Sequence, residues 1–374
     1  MGPRDESEVH RAATPLELLF DLVSVIAIAS AAAGLHHAIV EEHYASGVIK
    51  FVLAFFAIWW AWMNYTWFAS AYDNDDTLFR VLTMLAMSGS LVMAAGIEDF
   101  FTSNSLELVV SGFVIMRIAM IALWMRAYLH HPKLKRTALT YVMGLAVVQC
   151  YWVALLAADV STNTAIYALF VLGALFELAV PALAEKHSST PWHKHHIIER
   201  YGLLNIIVLG EALLAVSFAI KSAGETGFNV ELVRLSISSL IIAFCLWWLY
   251  FSNDNVMQNR RFSQVFAWAY GHFFIYLSGA AVGAGLAAYV DVVSKSLPID
   301  DFVIRITIAV PVSIYLIGLW MIRDRLVLTG PYRWGLLMLA VVICIVGSLG
   351  GLEFIAAFLI LCISLRRWGK SLVQ

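Results

Sequence analysis

The sequence predicts an all-α, polytopic membrane protein of about twelve transmembrane helices, and three observations carry that expectation. Of its 374 residues 61% are hydrophobic and only 13% charged, with a mean hydropathy of +0.81, whereas roughly a quarter of an ordinary soluble domain is charged. Apolar stretches of about 20 residues, the length that crosses a bilayer, recur twelve times with short loops between them. Lys and Arg alternate from loop to loop, as they do where cytoplasmic loops carry the basic excess. With twelve spans, all of the 24 basic residues except Lys50, Arg117, Lys221, Arg234, Lys295 and Arg305 fall on the side of the N-terminus, the even-numbered loops and the C-terminus. Both termini are therefore expected in the cytoplasm and the chain in the cytoplasmic membrane.

Taken in order, the expected spans are 15–37, 47–70, 77–96, 106–128, 137–158, 162–184, 198–219, 231–252, 262–289, 302–322, 332–348 and 351–367. The first opens on Thr14-Pro15-Leu16-Glu17, a capping box with Pro at the first helical position. The second carries Trp59, Trp60, Trp62, Tyr65 and Trp67, residue types that favour membrane interfaces. One of Asp73, Asp75 and Asp76 is expected to cap the third. Arg117 and Arg305 sit in the middle of the fourth and tenth, and Pro181 and Pro311 kink the sixth and tenth. In the seventh, Gly210 is expected to let another backbone approach beside Glu211. Gly347, Ser348, Gly350 and Gly351 divide the last two, and without that break the count would be eleven.

The two halves look related. ELLFDLVSVIAIA from Glu17 parallels ERYGLLNIIVLGEA from Glu199, Trp59-Trp60 parallels Trp247-Trp248, and Asp73-Asn74-Asp75 parallels Asn253-Asp254-Asn255. Leu123-Trp124-Met125 likewise recurs as Leu319-Trp320-Met321. The expected organisation is a cytoplasmic segment 1–14, a six-helix half 15–185, a His-containing cytoplasmic loop 186–197 and a second half 198–374. Six spans being even, the halves would be parallel repeats about an axis along the membrane normal.

Thr14-Pro15-Leu16-Glu17-Leu18-Leu19-Phe20-Asp21-Leu22-Val23 resembles the opening signature of the bacterial low-temperature-requirement protein A family. His196-Ile197-Ile198-Glu199-Arg200-Tyr201-Gly202-Leu203, followed by Ile206-Ile207-Val208-Leu209-Gly210-Glu211, resembles that family's second signature, and Asp73-Asn74-Asp75-Asp76 with Arg80 resembles its second-to-third-span connection. The sequence departs from the family at Ser24, where an aromatic is expected, and at Asn205, where a small hydroxyl residue is usual. The resemblance implies a multi-pass membrane protein and supplies no reaction. The Phe20-Asp21 step and the six-plus-six plan also resemble an endolysosomal potassium channel family with a Phe-Ser-Asp motif, of which the seventh helix has no second copy.

Charge inside a membrane costs at least ~2.5 kcal/mol and marks ion or proton paths, so Glu17, Asp21, Glu177, Glu199 and Glu211, joined by the polar Asn205, are the candidate pathway or binding residues, with Asp21 and Glu211 as the protonatable pair. Glu17 also has its capping role, and Glu211 the alternative of a buried carboxylate satisfied by an arginine or tyrosine. Arg117 and Arg305, which cannot discharge by losing a proton, are expected as counter-ions for Asp21, Glu177 or Glu211, with anion coordination as the rarer alternative. Asp73, Asp75 and Asp76 form a cytoplasmic acidic cluster without EF-hand spacing. His187, His193, His195 and His196 are expected in a solvated loop, and His36-His37 at the outer interface.

The net charge of −2 argues against a nucleic-acid partner, because binding the phosphate backbone calls for a concentrated basic surface. The four cysteines lie in apolar runs without metal-ligand spacing, the polar N-terminus shows no removable signal peptide, and no metal or cofactor site is legible. No nucleophile elbow, Walker loop or HExxH appears in a credible context, which argues against an enzyme. The expected function is transport or conduction of a small ion or solute, with lipid as surroundings and a homo-oligomer left open. The alternatives are a lipid-handling protein or enzyme of cold adaptation, or a sensory or structural protein without turnover.

Overall fold

The fold comes from a computed structural model that describes residues 2–4, 8, 11–158, 160, 162–225, 229–252 and 262–371, with backbone alone at 225, 262, 263 and 367–371. Asn253 to Asn255, Arg260 and Arg261 lie outside the described residues, as do the side chains of Arg367 and Lys370.

Every regular element described is helical. The long helices are α1 (Pro15–Val40), α2 (Tyr44–Tyr72), α3 (Thr77–Ser103), α4 (Glu107–His130), α5 (Lys135–Ala157), α6 (Asn163–Ala184), α7 (Lys194–Glu225), α8 (Val230–Phe251), α9 (Phe262–Lys295), α10 (Asp301–Leu319), α11 (Gly335–Gly350) and α12 (Leu352–Ser371). Eleven helical segments among the described residues, up to Gly330–Gly350, are long and apolar enough to span a bilayer. Glycine ends the next-to-last helix: Gly351 adopts φ +101°, a region open to residues without a Cβ, and α12 starts at the next residue.

The exposed surface is what marks these helices as lipid-embedded. On α1 the buried positions include Glu17, Phe20, Asp21, Ser24, Ala27, Ile28, Ala31 and Leu35, one face of a helix, while Leu18, Leu19, Leu22 and Ile26 point outward. An outward leucine stripe is paired with an inward carboxylate pair, the reverse of a water-soluble helix.

The chain divides into two compact units, Met1–Gly34 with Ile49–Leu203, and Leu35–Val48 with Leu204–Gln374. The boundary runs through α1, α2 and α7, whereas the expected repeats meet at the 186–197 loop. In the first unit α3 packs on α4, α4 on α5 and α5 on α6. Backbones meet at the α3–α4 crossing, where a Cβ on Gly89 would lie 2.6 Å from Gly112 O and one on Gly112 would lie 2.4 Å from Met93 N. Only glycine permits that approach.

One end of this unit gathers the N-terminal segment and the even-numbered loops. Arg4 N donates to Ala71 O at 2.9 Å, Tyr72 OH lies 3.1 Å from His131 Nδ1, Thr137 Oγ1 donates to Ser188 O at 3.0 Å, and His193 Nε2 lies 2.7 Å from Glu8 O. In the second unit α9 packs on α10, α10 on α11, α11 on α12 and α12 on α8. After α10 the chain widens into a π-helical turn, Trp320–Asp324, a departure from α geometry that is frequent at functional sites.

Candidate functional site

Two carboxylates enter the core of the first unit from α1. The capping box forms as expected: Thr14 N donates to Glu17 Oε2 at 2.8 Å and Glu17 N to Thr14 Oγ1 at 3.3 Å. The Glu17 carboxylate does more than cap. Its Oε1 lies 3.0 Å from His196 Nε2 and 3.2 Å from Arg200 Nη1. One turn on, Asp21 Oδ1 accepts from Arg200 Nη2 at 2.5 Å and from Trp62 Nε1 at 2.7 Å. Glu17 and Asp21 fall on one face because they are four residues apart, and Arg200 and His196 do so for the same reason on α7. The fork of Arg200 thus spans both acids, a geometry a lysine could not reproduce.

Aromatic rings wall this site. Phe20 stacks on Tyr65 at 4.0 Å between centroids, and Trp62 meets Tyr201 edge-on at 5.1 Å. Four groups with chemistry are therefore held dry, and their valences are incompletely used. Asp21 Oδ2, His196 Nδ1 and Arg200 Nε are buried without a hydrogen-bond partner among the described residues. Each such atom costs about 1–3 kcal/mol. A native protein keeps them where they serve a redox, catalytic or binding role or hold a water.

A second cluster in the same unit centres on a carboxylate with both oxygens hydrogen-bonded. Glu177 Oε2 accepts from Arg117 Nη2 and from Trp60 Nε1, both at 2.9 Å, and Oε1 accepts from Trp152 Nε1 at 3.2 Å. Arg117 also lies 4.4 Å above the Phe113 ring. Both carboxylate oxygens are used, while Arg117 Nε is buried without a hydrogen-bond partner among the described residues, and the pair ties α2, α4, α5 and α6 together.

The remaining candidates disperse. Glu199 is exposed, and its neighbour Arg200 takes the inward position. Arg305 pairs with Asp301 at 2.8 Å and donates to Leu349 O at 3.2 Å, so it neutralises none of Asp21, Glu177 and Glu211. Asp21 belongs to the first unit and Glu211 to the second. Asn205 is buried in the second unit, its Oδ1 accepting from Tyr315 OH at 3.0 Å. Glu211 is half-buried on α7, with no described residue pairing with its carboxylate.

The close approach expected at Gly210 occurs elsewhere. An added Cβ at Gly210 would meet nothing within 4 Å, whereas one on Gly283 of α9 would lie 2.6 Å from Glu211 Cβ. The acidic cluster also separates. Asp75 pairs with Arg80 at 2.6 Å in an exposed position, Asp76 caps α3 through Phe79 N at 2.8 Å and pairs with Arg126 at 2.6 Å, and Asp73 is buried.

Two expectations are corrected. The histidine segment is not a solvated loop: α7 begins at Lys194, so His193 and His196 are buried while His187 and His195 stay exposed. The tryptophans of α2 are not interfacial either. Trp59, Trp60, Trp62 and Tyr65 are buried, and it is Trp247 and Trp248 of α8 that face outward. His36, expected at the outer interface, lies 3.1 Å from Asp291 Oδ2.

The sequence reading missed Arg200, His196 and, in the second unit, Arg323. Arg323 is buried in the π-helical turn, where Nε donates to Asp324 Oδ1 at 2.9 Å and Nη1 to Leu249 O at 2.6 Å, while Arg366 Nη2 reaches Asp324 Oδ2 at 2.7 Å. Nearby, Tyr250 OH lies 3.0 Å from His272 Nε2. No three His, Cys, Asp or Glu side chains among the described residues are grouped to hold a metal ion.

Comparison with known proteins agrees with the signatures around Glu17 and Arg200. A stretch of 258 residues, 66% of this chain, is 23% identical to an uncharacterized protein of Rhizobium meliloti (strain 1021), and the match spans 60% of that protein's length. No solved structure matches the chain. Residues 12–365, nearly the whole sequence, match the family described as bacterial low temperature requirement A protein. The two stretches that build the carboxylate site thus lie within the matched region, and the chain belongs to the bacterial low temperature requirement A family.

Proposed function

We propose that this protein moves a small ion or solute across the membrane, with Glu17, Asp21, Arg200 and His196 on the route. The observation that carries the reading is the buried, incompletely satisfied set formed by these four groups. A purely structural buried acid is expected to have both carboxylate oxygens hydrogen-bonded, as Glu177 does in the same unit. The set around Arg200 instead leaves buried polar atoms open, which suits a group that exchanges partners during a cycle. Intramembrane carboxylates by default mark such routes. Asn205 and Glu211 are the candidate groups of the second unit, and Glu177 is read as structural.

The orientation proposed is the one the basic residues favour, with both termini and the even-numbered loops in the cytoplasm. The gathering of the N-terminal segment with those loops at one end of the first unit supports their sharing a side. A duplication of 15–185 and 198–374 remains part of the proposal, with diverged copies: Glu17 and Trp60 are buried, whereas Glu199 and Trp248 are exposed.

The test is a flux screen on the full chain in proteoliposomes, across protons, alkali cations and small organic solutes, against Arg200→Lys and Asp21→Asn. Flux of one solute that both substitutions reduce is the expected result. Folded protein that carries nothing, but alters lipid composition in the same vesicles, would replace transport with lipid handling.

A further inference from the structure

Where the N-terminal segment meets the connections that follow α4 and α6, the first unit has a cleft of about 650 Å³. Arg4 lines it from the N-terminal segment, His131, Lys133 and Leu134 from the 3₁₀ connection between α4 and α5, and Ser188 and Ser189 from the stretch between α6 and α7. None of these residues belongs to the carboxylate site, and none of the described residues lining the cleft is acidic.

The walls are braced. Arg4 donates its backbone N–H to Ala71 O at 2.9 Å and its Nη1 to Asp73 O at 3.3 Å, both at the end of α2. Leu134 N closes the turn on His131 O at 3.1 Å, and Thr137 Oγ1 of α5 holds Ser188 O at 3.0 Å. Three chain segments are thus fixed around one space before any ligand arrives, which lowers the ordering cost of binding.

What they present to that space is donors. Tyr72 OH lies 3.1 Å from His131 Nδ1, so Nε2 is the ring nitrogen left for a ligand. Burial and the Lys133 charge push His131 below its ordinary range, and as a neutral ring accepting at Nδ1 it carries its proton on Nε2. Ser188 Oγ donates to His187 O at 2.7 Å, which leaves Ser189 as the hydroxyl donor. Arg4 pairs with Glu8 at 3.4 Å, whereas Lys133 pairs with no acid among the described residues, so one positive charge is left over. Donors arriving from three segments suit a tetrahedral group better than a planar carboxylate, and a single excess charge matches a phosphodiester.

The position selects the source of that group. The cleft lies at the ends of α4, α5 and α6, which turn Leu129, Leu139 and Leu183 outward within about two turns of the donors. We infer that the cleft holds the phosphodiester headgroup of an anionic phospholipid, with its acyl chains along those apolar faces. Basic pockets between transmembrane helices at the cytoplasmic surface hold such headgroups, and in the orientation proposed above the cleft faces that leaflet. A zwitterionic headgroup is a poorer ligand, because its ammonium would lie beside Arg4 and Lys133. Binding itself depends neither on that orientation nor on transport.

The experiment is native mass spectrometry of the full-length protein in detergent, titrated with phosphatidylglycerol or with phosphatidylethanolamine of the same acyl chains. Wild type is compared with Lys133→Gln, Ser189→Asp and Arg136→Gln. Arg136 is an exposed basic residue of α5 outside the cleft and serves as the charge-matched control. Wild type and Arg136→Gln should bind the first phosphatidylglycerol about fivefold or more tighter than phosphatidylethanolamine, and Lys133→Gln should lose about fivefold at unchanged melting temperature. Ser189→Asp, which puts a negative charge in the cleft, should abolish the preference. Should either variant not fold, the other decides. Lys133→Gln or Ser189→Asp binding like wild type, Arg136→Gln losing as much as Lys133→Gln, or wild type without a preference would each overturn the site. Soluble glycerophosphoglycerol, added as a competitor, separates the two sources of a phosphodiester. Displacement of the lipid only at large excess is expected, and displacement at equal concentration would overturn the lipid in favour of a free phosphodiester.

Discussion

Arg200 Nη2 lies 2.5 Å from Asp21 Oδ1 while Nη1 of the same guanidinium lies 3.2 Å from Glu17 Oε1. One cation thus holds two acids on successive turns of α1, all of them buried. Removing one partner of such a pair strands charge in a low-dielectric interior and costs about 3–5 kcal/mol. Arg200→Met should therefore lower the yield of folded protein and its melting temperature in detergent sharply. Adding Asp21→Asn to Arg200→Met should recover part of the loss, because it removes one stranded charge. Trp62→Phe deletes the indole donor to Asp21 and leaves a cavity where part of a buried ring was, so it should cost about 1.5–3 kcal/mol or more. Equal melting temperatures for Arg200→Met and wild type would contradict this account.

Asp76 makes the acid stability of the first unit predictable in sign. Its hydrogen bonds to Arg126, at 2.6 and 3.1 Å, hold its carboxyl well below the usual carboxylate range, helped by the cap to Phe79 N. A depressed native value means that the unfolded chain takes up the proton first as pH falls. The pair's contribution is complete above the unfolded value near ~4 and is lost as pH drops further toward the native one. Asn keeps the cap but not the charge, so the melting-temperature gap between wild type and Asp76→Asn should be flat from about pH 7 to 5 and narrow below about pH 4. A gap that widens on acidification would refute the assignment.

Hydropathy and capping made the helices and the inward face of α1 legible, because each follows from local spacing. Asp21 stood out for a simple reason: it is one turn too deep to cap. His196 was hidden because it fell in the expected 186–197 loop, and Arg200, inside the expected span, because it was counted with the basic residues of the cytoplasmic side. With α7 starting at Lys194 instead of near 198, the same residues lie on its first turns and face α1. Arg323 was hidden for a related reason, since it falls where the tenth span ends and a π-helical turn leaves no hydropathy signal. The tryptophans of α2 were misplaced because interface preference is an average, and an indole N–H that meets a buried carboxylate is better satisfied in the core. Pairings such as Arg117 with Glu177 join helices far apart in sequence, and spacing alone does not select among three acids and two arginines.

Gly210 and Gly283 give opposite expectations from the same residue type. Gly210 has open space where a Cβ would go, and alanine is the better helix former, so Gly210→Ala should be neutral or stabilising by about 0.5–1 kcal/mol. At Gly283 a Cβ would lie 2.6 Å from Glu211 Cβ and 2.8 Å from its carbonyl carbon, forcing α7 and α9 apart. Gly283→Ala should cost about 1–3 kcal/mol as an overpacked contact, read as a lower melting temperature. Equal effects at the two sites would mean that the α7–α9 crossing is not set by Gly283.

That crossing positions Glu211, and it makes Glu211→Gln the sharper test of the second unit. No described residue neutralises this carboxylate, so the fold gains nothing from its charge and bears its desolvation. Gln keeps the shape and the contact with Gly283 while removing the charge. The variant should insert and fold with a melting temperature equal to or above that of wild type. If Glu211 lines the route, flux of the carried solute should fall about tenfold or more and lose its dependence on protonation there. Folded Glu211→Gln with undiminished flux would take Glu211 off the route. A marked loss of stability would instead reveal a partner for the carboxylate, since only a satisfied charge is costly to remove.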